Sequence, residues 1–365
     1  MDVAAGLTVL TVNAGSSSVK LRVVGPDGTV LAAADDSTLL REMPEVAAIG
    51  HRVVHGGPAL TAPARINDDV RRRIAEADEL APLHNRRALD GIDLASEVAP
   101  ELPQVACFDT AFHATLPDAA AIYPLPAAWR QRWGLRRYGF HGLSHGYAAR
   151  RAAALLGRDP AALRVVTCHL GAGASLCAVD GGRSVDTTMG FTPLEGLVMA
   201  TRSGSVDPGL LLWLLRQGLD VDELADGLEQ RSGLAGLAGS GDMREVRRAA
   251  EAGEEPARLA LAVYRHRLCR EIAAMAAALG GLDALVFTGG IGEHDAALRA
   301  EVCTRLGFLG VGLDDARNAA GDADREIGAS GHSVRVLVVE SREDLEIAEQ
   351  TRQVLTSHRR QTAGP

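Results

Sequence analysis

Lysine is almost absent from this 365-residue chain, because 37 of its 38 basic residues are arginine and only Lys20 is lysine. The single retained lysine is either a matter of chance or a position where a compact ammonium is wanted rather than a planar guanidinium. Positive charge is also never concentrated: the longest basic run is Arg71, Arg72 and Arg73, and the net charge is −9. A nucleic acid or an anionic membrane needs a concentrated positive surface, so both are disfavoured as partners.

Cysteine and long apolar runs are scarce as well. The five cysteines are widely spaced and form no CxxC pair, which indicates neither a zinc cluster nor a disulfide framework. No apolar run approaches the ~20 residues of a membrane helix, and the first residues lack the positive stretch of a secretory signal. We therefore expect a cytoplasmic protein with reduced thiols. At roughly 100–200 residues per domain, the length suggests two or three domains.

A pattern of three strands separated by turns occurs twice. It covers residues 7–12, 19–24 and 29–33, and again residues 164–170, 176–179 and 183–187. Helices are predicted at 146–156, 256–279, 295–306 and 342–355, with further strands at 285–288 and 334–339. Strands that alternate with helices predict an α/β architecture, and the repeated pattern suggests a duplicated fold.

Three turns rich in small residues each follow a predicted strand directly, at residues 13–18, 171–175 and 289–293. Consecutive backbone N–H groups in such turns can receive a phosphate without a clash from a Cβ atom. None is a Walker A loop, since that motif needs a Gly-Lys pair and Lys20 follows valine. Three such turns in one chain favour a nucleotide-binding protein.

The segment from His51 to Gly57 places two histidines around an arginine in an otherwise apolar strand. For His51 and His55 taken separately, we favour structural roles at the polar ends of an edge strand. Arg52 is different, because a guanidinium among valines requires an anion.

A GxSxG match runs from Gly142 to Gly146 with Ser144 at its centre, which is the pattern of a nucleophile elbow in acyl hydrolases. An elbow needs a buried strand before the serine, and residues 136–139 form a poor one. An acyl hydrolase therefore remains a minor alternative.

Two arginines, a histidine and a strand-end acid suit phosphoryl transfer: Arg52, Arg202, His141 and Asp109. Arg202 lies near the end of a long segment rich in turn formers, residues 186–204, and long structured loops are often functional. Phosphoryl transfer needs cations around the equatorial oxygens and a metal held by acid or amide side chains.

In chain order, these motifs resemble those of the acetate kinase family, which shares a superfamily with sugar kinases, heat-shock chaperones and actin. The resemblance runs from Leu7 to about Ala348, through residues 13–20, 51–57, 81–85, 108–113, 136–142, 168–175, 189–204, 242–244 and 287–293. It implies an α/β fold of two duplicated ribonuclease-H-like domains with a nucleotide cleft between them. The N-terminal domain would comprise residues 1–110 and about 343–365, and the C-terminal domain residues 111–342.

The resemblance also implies a role for individual residues. The catalytic set would be Asp109, His141, Arg202 and Arg52, and the metal-binding residues Asn13 and Glu343. The substrate would contact Arg52, Val54, Leu83, His84, Phe140 and Pro193. The nucleotide would contact Ser16, Ser18, Lys20, His169, Leu170, Gly171, Ala172, Gly173, Asp242, Met243, Arg244, Gly289, Gly290, Ile291, Gly292 and Glu293.

The implied activity is reversible phosphoryl transfer from ATP to acetate, giving acetyl phosphate and ADP, with Mg²⁺ or Mn²⁺ as cofactor and a homodimer as the usual assembly. A propionate kinase of the same family is the nearest alternative, because one methylene is worth only ~1–3 kcal/mol of discrimination. A non-catalytic nucleotide-binding relative is a further alternative, although every residue implied for phosphoryl transfer is present in this chain. Ala172 and His294 stand where the family usually has asparagine, which leaves the nucleotide preference open.

Overall fold

The computed structural model describes residues 6–14, 19–36, 38–42, 45–80, 82–321 and 324–362, without the side chains of residues 79, 80, 82–84 and 358–362. The chain divides into two compact units. The first unit comprises Met1–Ala114, Phe140–Tyr147 and Arg342–Pro365, and the second unit comprises Thr115–Gly139 and Ala148–Ser341.

The first unit contains a six-stranded mixed sheet. Its strands are β1 Val9–Ala14, β2 Val19–Val24, β3 Val30–Ala34, β4 Ala48–Val53, β5 Ala64–Arg65 and β6 Gln104–Phe108. They are arranged in the order β3-β2-β1-β4-β6-β5, and β1, β4 and β6 run parallel. Every residue of β6 is buried, because the apolar strands at the centre of the sheet are covered on both faces.

The second unit repeats this arrangement. Its strands are β7 Arg164–Leu170, β8 Ala174–Asp180, β9 Arg183–Thr187, β10 Ala284–Thr288, β11 Arg325–Glu326 and β12 Arg335–Val338. Counted from β9, the order is β9-β8-β7-β10-β12-β11, with β7, β10 and β12 parallel. Strand order and strand direction therefore match the first sheet position by position. The predicted α/β fold with two duplicated domains is confirmed.

Helices connect and cover the strands. They are α1 Thr38–Glu42, α2 Asp68–Glu76, α3 Pro82–Val98, α4 Asp118–Ala121, α5 Ala127–Trp133, α6 Gly142–Leu155, α7 Pro208–Arg216, α8 Val221–Gln230, α9 Gly233–Ala238, α10 Met243–Glu251, α11 Glu255–Ala278, α12 Gly289–His294, α13 Ala296–Arg305, α14 Asp315–Ala319 and α15 Glu343–Thr362. Short 3₁₀ helices lie at Ala77–Leu80, Ala111–Thr115, Pro160–Ala162 and Gly307–Leu309. Within the described residues, no helix has the length and apolar character needed to cross a membrane.

Several helices begin where a short acidic side chain caps the first turn. Asp220, Asp242 and Asp295 each accept a hydrogen bond from a backbone N–H two or three residues later, at the starts of α8, α10 and α13. Such a cap satisfies one of the four N–H groups that a helix start leaves without an intrahelical partner. Two of these caps, Asp242 and Asp295, also line the cavity described below.

Most predicted elements agree with the structure to within two residues, including the long helix α11 and both three-strand repeats. Two helices differ. The helix predicted from residue 146 begins at Gly142, and the helix predicted to end at residue 355 continues to Thr362. The earlier start of α6 places the whole GxSxG match inside a helix.

The interpretation of residues 51–57 as an edge strand was wrong. Strand β4 lies between β1 and β6, in the middle of the first sheet. His51 is buried there, and its Nε2 lies 2.8 Å from Oε1 of Gln104, which must accept the bond. Burial lowers the pKa of His51 to about 4, so the ring is neutral and its polar edge is tolerated in the core.

Candidate active site

Four polar residues of the first unit meet at one edge of its sheet. Asn13 lies near the end of β1, Arg52 near the end of β4, and Asp109 directly after β6. Because these three strands are parallel, their carboxyl ends lie at the same edge, which is where ligands bind in open α/β sheets. Glu343, the first residue of α15, reaches the same place.

The side chain of Arg52 organises this cluster. Its Nε and Nη2 donate to the two carboxylate oxygens of Asp109 at 3.0 and 2.6 Å, a bidentate contact. Its Nη1 donates to Oδ1 of Asn13 at 3.0 Å and lies 3.3 Å from Oε2 of Glu343. Nδ2 of Asn13 donates to that same Glu343 oxygen at 2.7 Å. One guanidinium thus holds two carboxylates and an amide together.

Burial makes the charges of this cluster interdependent. The side chain of Asp109 is 1% exposed, whereas those of Arg52 and Glu343 are 14% and 12% exposed. Burial would lower the pKa of Arg52, but Asp109 and Glu343 outweigh it and raise that pKa, so Arg52 stays protonated. Burial raises the pKa of Asp109, and the Arg52 guanidinium opposes the rise. Removal of either partner would leave an uncompensated buried charge.

His141 stands beside this cluster in an unusual backbone conformation. It has a φ of 57°, the only positive φ outside glycine among the described residues, and such positions often mark functional sites. Its backbone N–H donates to the Asp109 carboxylate. The N–H of Gly142 donates to the Asp109 carbonyl at 2.9 Å, and a Cβ at Gly142 would lie 2.1 Å from that oxygen. Glycine is therefore required where α6 begins.

Two of the residues predicted to line an apolar substrate pocket, Val54 and Phe140, belong to the first unit. Val54 and Phe140 are both buried, and the Phe140 ring meets the ring of His55 edge to face at 5.4 Å. Phe140 is fixed further by a 3.0 Å hydrogen bond between its carbonyl oxygen and Nε2 of His113. The side chains of the predicted residues Leu83 and His84 lie outside the described part of the structure.

The first predicted phosphate turn is described only at its two ends. Lys20 is exposed on β2 and is the direct cross-strand partner of Asn13. Side chains of directly paired residues share one face of a sheet, so Lys20 stands on the same face as Asn13. Ser16 and Ser18 lie outside the described residues.

Asn13 and Glu343 together offer an amide oxygen and a carboxylate, the oxygen ligands that Mg²⁺ prefers. Mg²⁺ commonly takes one or two carboxylates and completes its shell with waters and substrate phosphates. Across the described ranges, no group of three or more His, Cys, Asp or Glu side chains is arranged to hold a metal. The pair therefore fits a Mg²⁺ shared with a phosphate ligand, and it does not form a closed metal cage.

In the second unit, residues 188–207 form a long segment without helix or strand, as predicted. Nη1 of Arg202 donates to the Pro193 carbonyl at 3.1 Å and lies 3.6 Å from Sδ of Met199. Burial lowers the pKa of Arg202, and Glu229 opposes the shift. Of the carboxylates that the structure describes, none forms an ion pair with Arg202. A partly buried guanidinium of this kind is suited to an anionic ligand.

A cavity of about 740 Å³ in the second unit brings together several predicted nucleotide-binding segments. Gly171 and Ala172 contribute from the turn between β7 and β8, and Gly290 and Ile291 from α12. Its wall consists of Gly171, Ala172, Gly241, Asp242, Met243, Arg244, Arg247, Arg248, Glu251, Gly290, Ile291, His294 and Asp295. The volume falls within the usual range for small-molecule and cofactor sites.

The predicted turn at residues 289–293 is the short helix α12. Its first residue, Gly289, has a φ of 77°, and a Cβ there would lie 2.8 Å from the carbonyl oxygen of Leu170. Only glycine permits this close approach between α12 and the end of β7, which carries the predicted residue His169. The carboxylate of Glu293 accepts from the N–H groups of Gly289 and Ser341. Gly289 thus allows α12 to pack closely against the end of β7.

Helix α10 contributes three residues that the sequence analysis did not predict, Arg247, Arg248 and Glu251, beside the predicted Arg244. Arg244, Arg247, Arg248 and Glu251 line the cavity at helical spacing, and this polar stripe after a capping aspartate was the available signal. Asp242 caps the helix and pairs with Arg244, whose hydrogen bonds lower the pKa of Asp242 to about 2. A permanent carboxylate therefore lies on the cavity wall.

Ser144 does not occupy a nucleophile elbow. It lies inside α6 and is 1% exposed, whereas an elbow serine stands exposed on a sharp turn after a strand. Residues 136–139 form no strand. The acyl-hydrolase alternative therefore lacks its essential geometry.

The chain matches the model of the acetokinase family over residues 28–349. The chain belongs to the acetokinase family. An acetate kinase from Synechococcus sp. (strain JA-2-3B'a(2-13)) is 53% identical over 314 residues, covering 86% of this chain and 78% of that protein. Two crystal structures are each 36% identical to this chain and cover 95% of it and 99% of their own length. They are Porphyromonas gingivalis acetate kinase, with a TM-score of 0.89, and a propionate kinase from Francisella tularensis subsp. tularensis SCHU S4, with a TM-score of 0.88.

Membership of the acetokinase family gives the cluster around Arg52 a chemical context. Kinases of this family phosphorylate a carboxylate and use ATP as co-substrate. The cluster contains a guanidinium, an amide and two carboxylates, and the cavity in the second unit has the volume of a typical cofactor site.

Proposed function

We propose that this protein is an acetate kinase, which transfers the γ-phosphoryl group of ATP to acetate and forms acetyl phosphate and ADP. The observation that carries the proposal is the convergence of Asn13, Arg52, Asp109 and Glu343 at one edge of the first sheet. In a chain of the acetokinase family, this set provides the charges that a carboxylate acceptor and a metal-bound phosphate require.

The carboxylate of acetate needs no activation by a base, because it is already ionised at neutral pH. Catalysis then depends on positioning and on stabilising charge in the transition state. Arg52 orients the acceptor carboxylate, and Asp109 holds the Arg52 guanidinium in place through its bidentate contact. Arg202 and His141 stabilise the charge on the migrating phosphoryl group, and the carboxylate oxygen attacks phosphorus in line with the leaving ADP oxygen.

We infer that the cavity of the second unit binds the adenosine part of ATP, between α10 and α12. The turn from Gly171 to Gly173 and the exposed Lys20 contact phosphates, which suits their backbone N–H groups and positive charge. Asn13 and Glu343 would hold Mg²⁺ or Mn²⁺, which neutralises charge on the phosphates when bound. Ala172 contributes no polar side chain to the cavity wall, so phosphate contacts there come from the backbone.

Acetate is the acceptor that we propose, and propionate is the nearest alternative, since a structurally similar protein is a propionate kinase. We expect the ratio kcat/KM to fall from acetate to propionate to butyrate, because each added methylene must fit beside the buried Val54 and Phe140. A mismatch of one methylene is worth about 1–3 kcal/mol. A coupled assay of ADP release with the three acids tests this order. A higher kcat/KM for propionate would reassign the substrate, and no release with any acid would reject the kinase proposal.

We also propose that the protein forms a homodimer through α7. This helix has no buried residue, although six of its nine residues are leucine or tryptophan. Leu210, Leu212 and Trp213 are 45%, 54% and 53% exposed. An apolar face of this kind is typical of a protein–protein interface.

Light scattering on the double variant Leu212→Glu/Trp213→Glu tests the dimer. We expect the unchanged protein to have twice the mass of one chain and the variant to have the mass of one chain, because two carboxylates cannot be buried unpaired. Phe308→Glu is the matched control, since Phe308 is 76% exposed outside α7. A monomeric unchanged protein, or a variant that stays dimeric, would reject this interface.

We propose the cytoplasm as the compartment of the enzyme. All five cysteines are free thiols, and Cys107, Cys168, Cys177 and Cys303 are buried. Burial raises the pKa of each of these four thiols, which keeps them protonated and inert. Free thiols without disulfides are typical of a reducing compartment.

A further inference from the structure

A buried arginine stands behind the nucleotide cavity, and no carboxylate of the described residues is in hydrogen-bond contact with it. Arg299 of α13 is 1% exposed and is the largest fully buried side chain described. Its four hydrogen bonds to described residues all go to neutral carbonyl oxygens, two of them on α12 and two on Asn318 of α14. Burying a charge is costly unless it is compensated, so the fold must gain something from placing a cation here.

The contacts of Arg299 show what it fixes. Its Nη1 donates to the carbonyl oxygens of Gly292 and Glu293 at 2.8 and 2.7 Å, in the last turn of α12. A helix leaves these final carbonyls without intrahelical partners, and a cation there also interacts favourably with the helix dipole. Gly290 and Ile291 of the same helix line the cavity. Helix α12 forms one wall of the nucleotide site, and Arg299 therefore holds this helix in place from the side away from the cavity.

Asn318 sets the orientation of the Arg299 guanidinium. Its Oδ1 accepts from Nε of Arg299 at 2.8 Å, and its backbone oxygen accepts from Nη2 at 2.9 Å. Its own Nδ2 donates to the carbonyl of Ala296 at 2.8 Å, at the start of α13. The asparagine is 5% exposed. It therefore fixes the plane of the guanidinium, and its described side-chain hydrogen bonds go to α13 and not to α12.

The other wall of the cavity is attached to the same helix. Asp295 caps α13 through the N–H of Leu298, and its Oδ2 accepts from Nε and Nη2 of Arg247 at 3.1 and 2.7 Å. Arg247 lies on α10 and lines the cavity. The first turn of α13 thus connects both walls, α10 through Asp295 and α12 through Arg299.

We propose that Arg299 and Asn318 are positioning residues for nucleotide binding, which set the place of α12 without contacting the nucleotide. This inference rests on the proposed function, since it assumes that the cavity binds ATP and ADP. It predicts a selective effect. Loss of the pair should weaken nucleotide binding and leave the acetate site unaffected, because Arg52 and Asp109 belong to the first unit.

Calorimetric titration of ADP and steady-state kinetics on Asn318→Ala, Arg299→Lys and Arg299→Met test the proposal. We expect the Kd for ADP to rise about 10-fold in Asn318→Ala and up to about 100-fold in Arg299→Met. A small displacement of α12 is the cause, since a misplacement produced by a distant mutation can cost about 10²-fold. The KM for acetate should stay within about twofold in Asn318→Ala. Arg299→Lys should restore little of the ADP affinity that Arg299→Met loses, because an ammonium cannot reproduce the planar set of four hydrogen bonds.

Arg317→Ala is the matched control, since Arg317 lies beside Asn318 on α14 and is about half exposed, with no hydrogen bond to α12 among the described residues. Its Kd for ADP should not change. Arg299→Met can fail to fold, so Asn318→Ala, which keeps the buried cation, is decisive. An unchanged Kd for ADP in Asn318→Ala, or equal increases in that Kd and in the KM for acetate, would overturn the positioning role. An unchanged protein that does not bind ADP would instead reject the proposed function, and this inference with it.

Discussion

Arg202→Ala is expected to lower kcat for acetyl phosphate formation by about 10²–10³-fold, the usual cost of one lost charge-stabilising donor. The KM for acetate should change far less, because in the proposed mechanism Arg202 meets charge that develops only in the transition state. Stability should also change little. Among the described residues Arg202 forms no ion pair, and its contacts are one carbonyl and one thioether. Steady-state kinetics and a thermal melt measure both effects.

Two further variants make the Arg202 result interpretable. Arg202→Lys should recover only part of kcat, because an ammonium does not provide the planar fork of a guanidinium. Arg183→Ala removes an exposed arginine of the second unit and should leave both kinetic constants unchanged. If Arg202→Ala has a lower melting temperature while the kcat of the folded enzyme is retained, Arg202 is structural and its catalytic assignment fails.

Arg52→Ala is expected to raise the KM for acetate strongly and to lower the free energy of unfolding by about 3–5 kcal/mol, the cost of breaking a buried pair. The structure explains the second effect, because the variant leaves the fully buried Asp109 without its bidentate partner and Glu343 without a cation. Chemical denaturation measures stability, and initial rates over a range of acetate concentrations measure KM.

The double variant Arg52→Met/Asp109→Asn separates the two effects of that substitution. With both charges removed, the part of the lost stability that comes from the unpaired Asp109 should return, whereas Glu343 still lacks its cation. Activity should not return, because the guanidinium that binds the carboxylate is still missing. Recovery of activity together with stability would mean that Arg52 serves only the fold and does not bind the substrate.

The strands could be predicted because their residues repeat a simple pattern. Alternating or continuous β-branched runs located β1, β2 and β7 to within two residues. Helix α7 gave no such signal, since its leucines and tryptophan surround the helix and show no amphipathic period. The central position of β4 was also missed, because two histidines suggested exposure. Burial beside Gln104 is a tertiary property that strand periodicity does not reveal.

The candidate site residues were likewise predictable only in part. Motif resemblance predicted roles for Arg52, Asp109 and Arg202, and the structure adds that the first two form a bidentate pair. Arg299 and Asn318 were not predictable, because an arginine in an amphipathic helix normally reaches solvent. Only the folded chain shows that the carbonyl oxygens of α12 and α14 surround it.

The most direct test of the account is the stoichiometry of the reaction. ATP, Mg²⁺ and acetate are incubated with the protein, and ADP and acyl phosphate are measured in the same samples, the latter as its hydroxamate. The account predicts one acetyl phosphate for each ADP, with both products depending on acetate and both falling together in Arg202→Ala. ADP released with inorganic phosphate and without acyl phosphate would show that water, not the carboxylate, accepts the phosphoryl group, and would contradict the account.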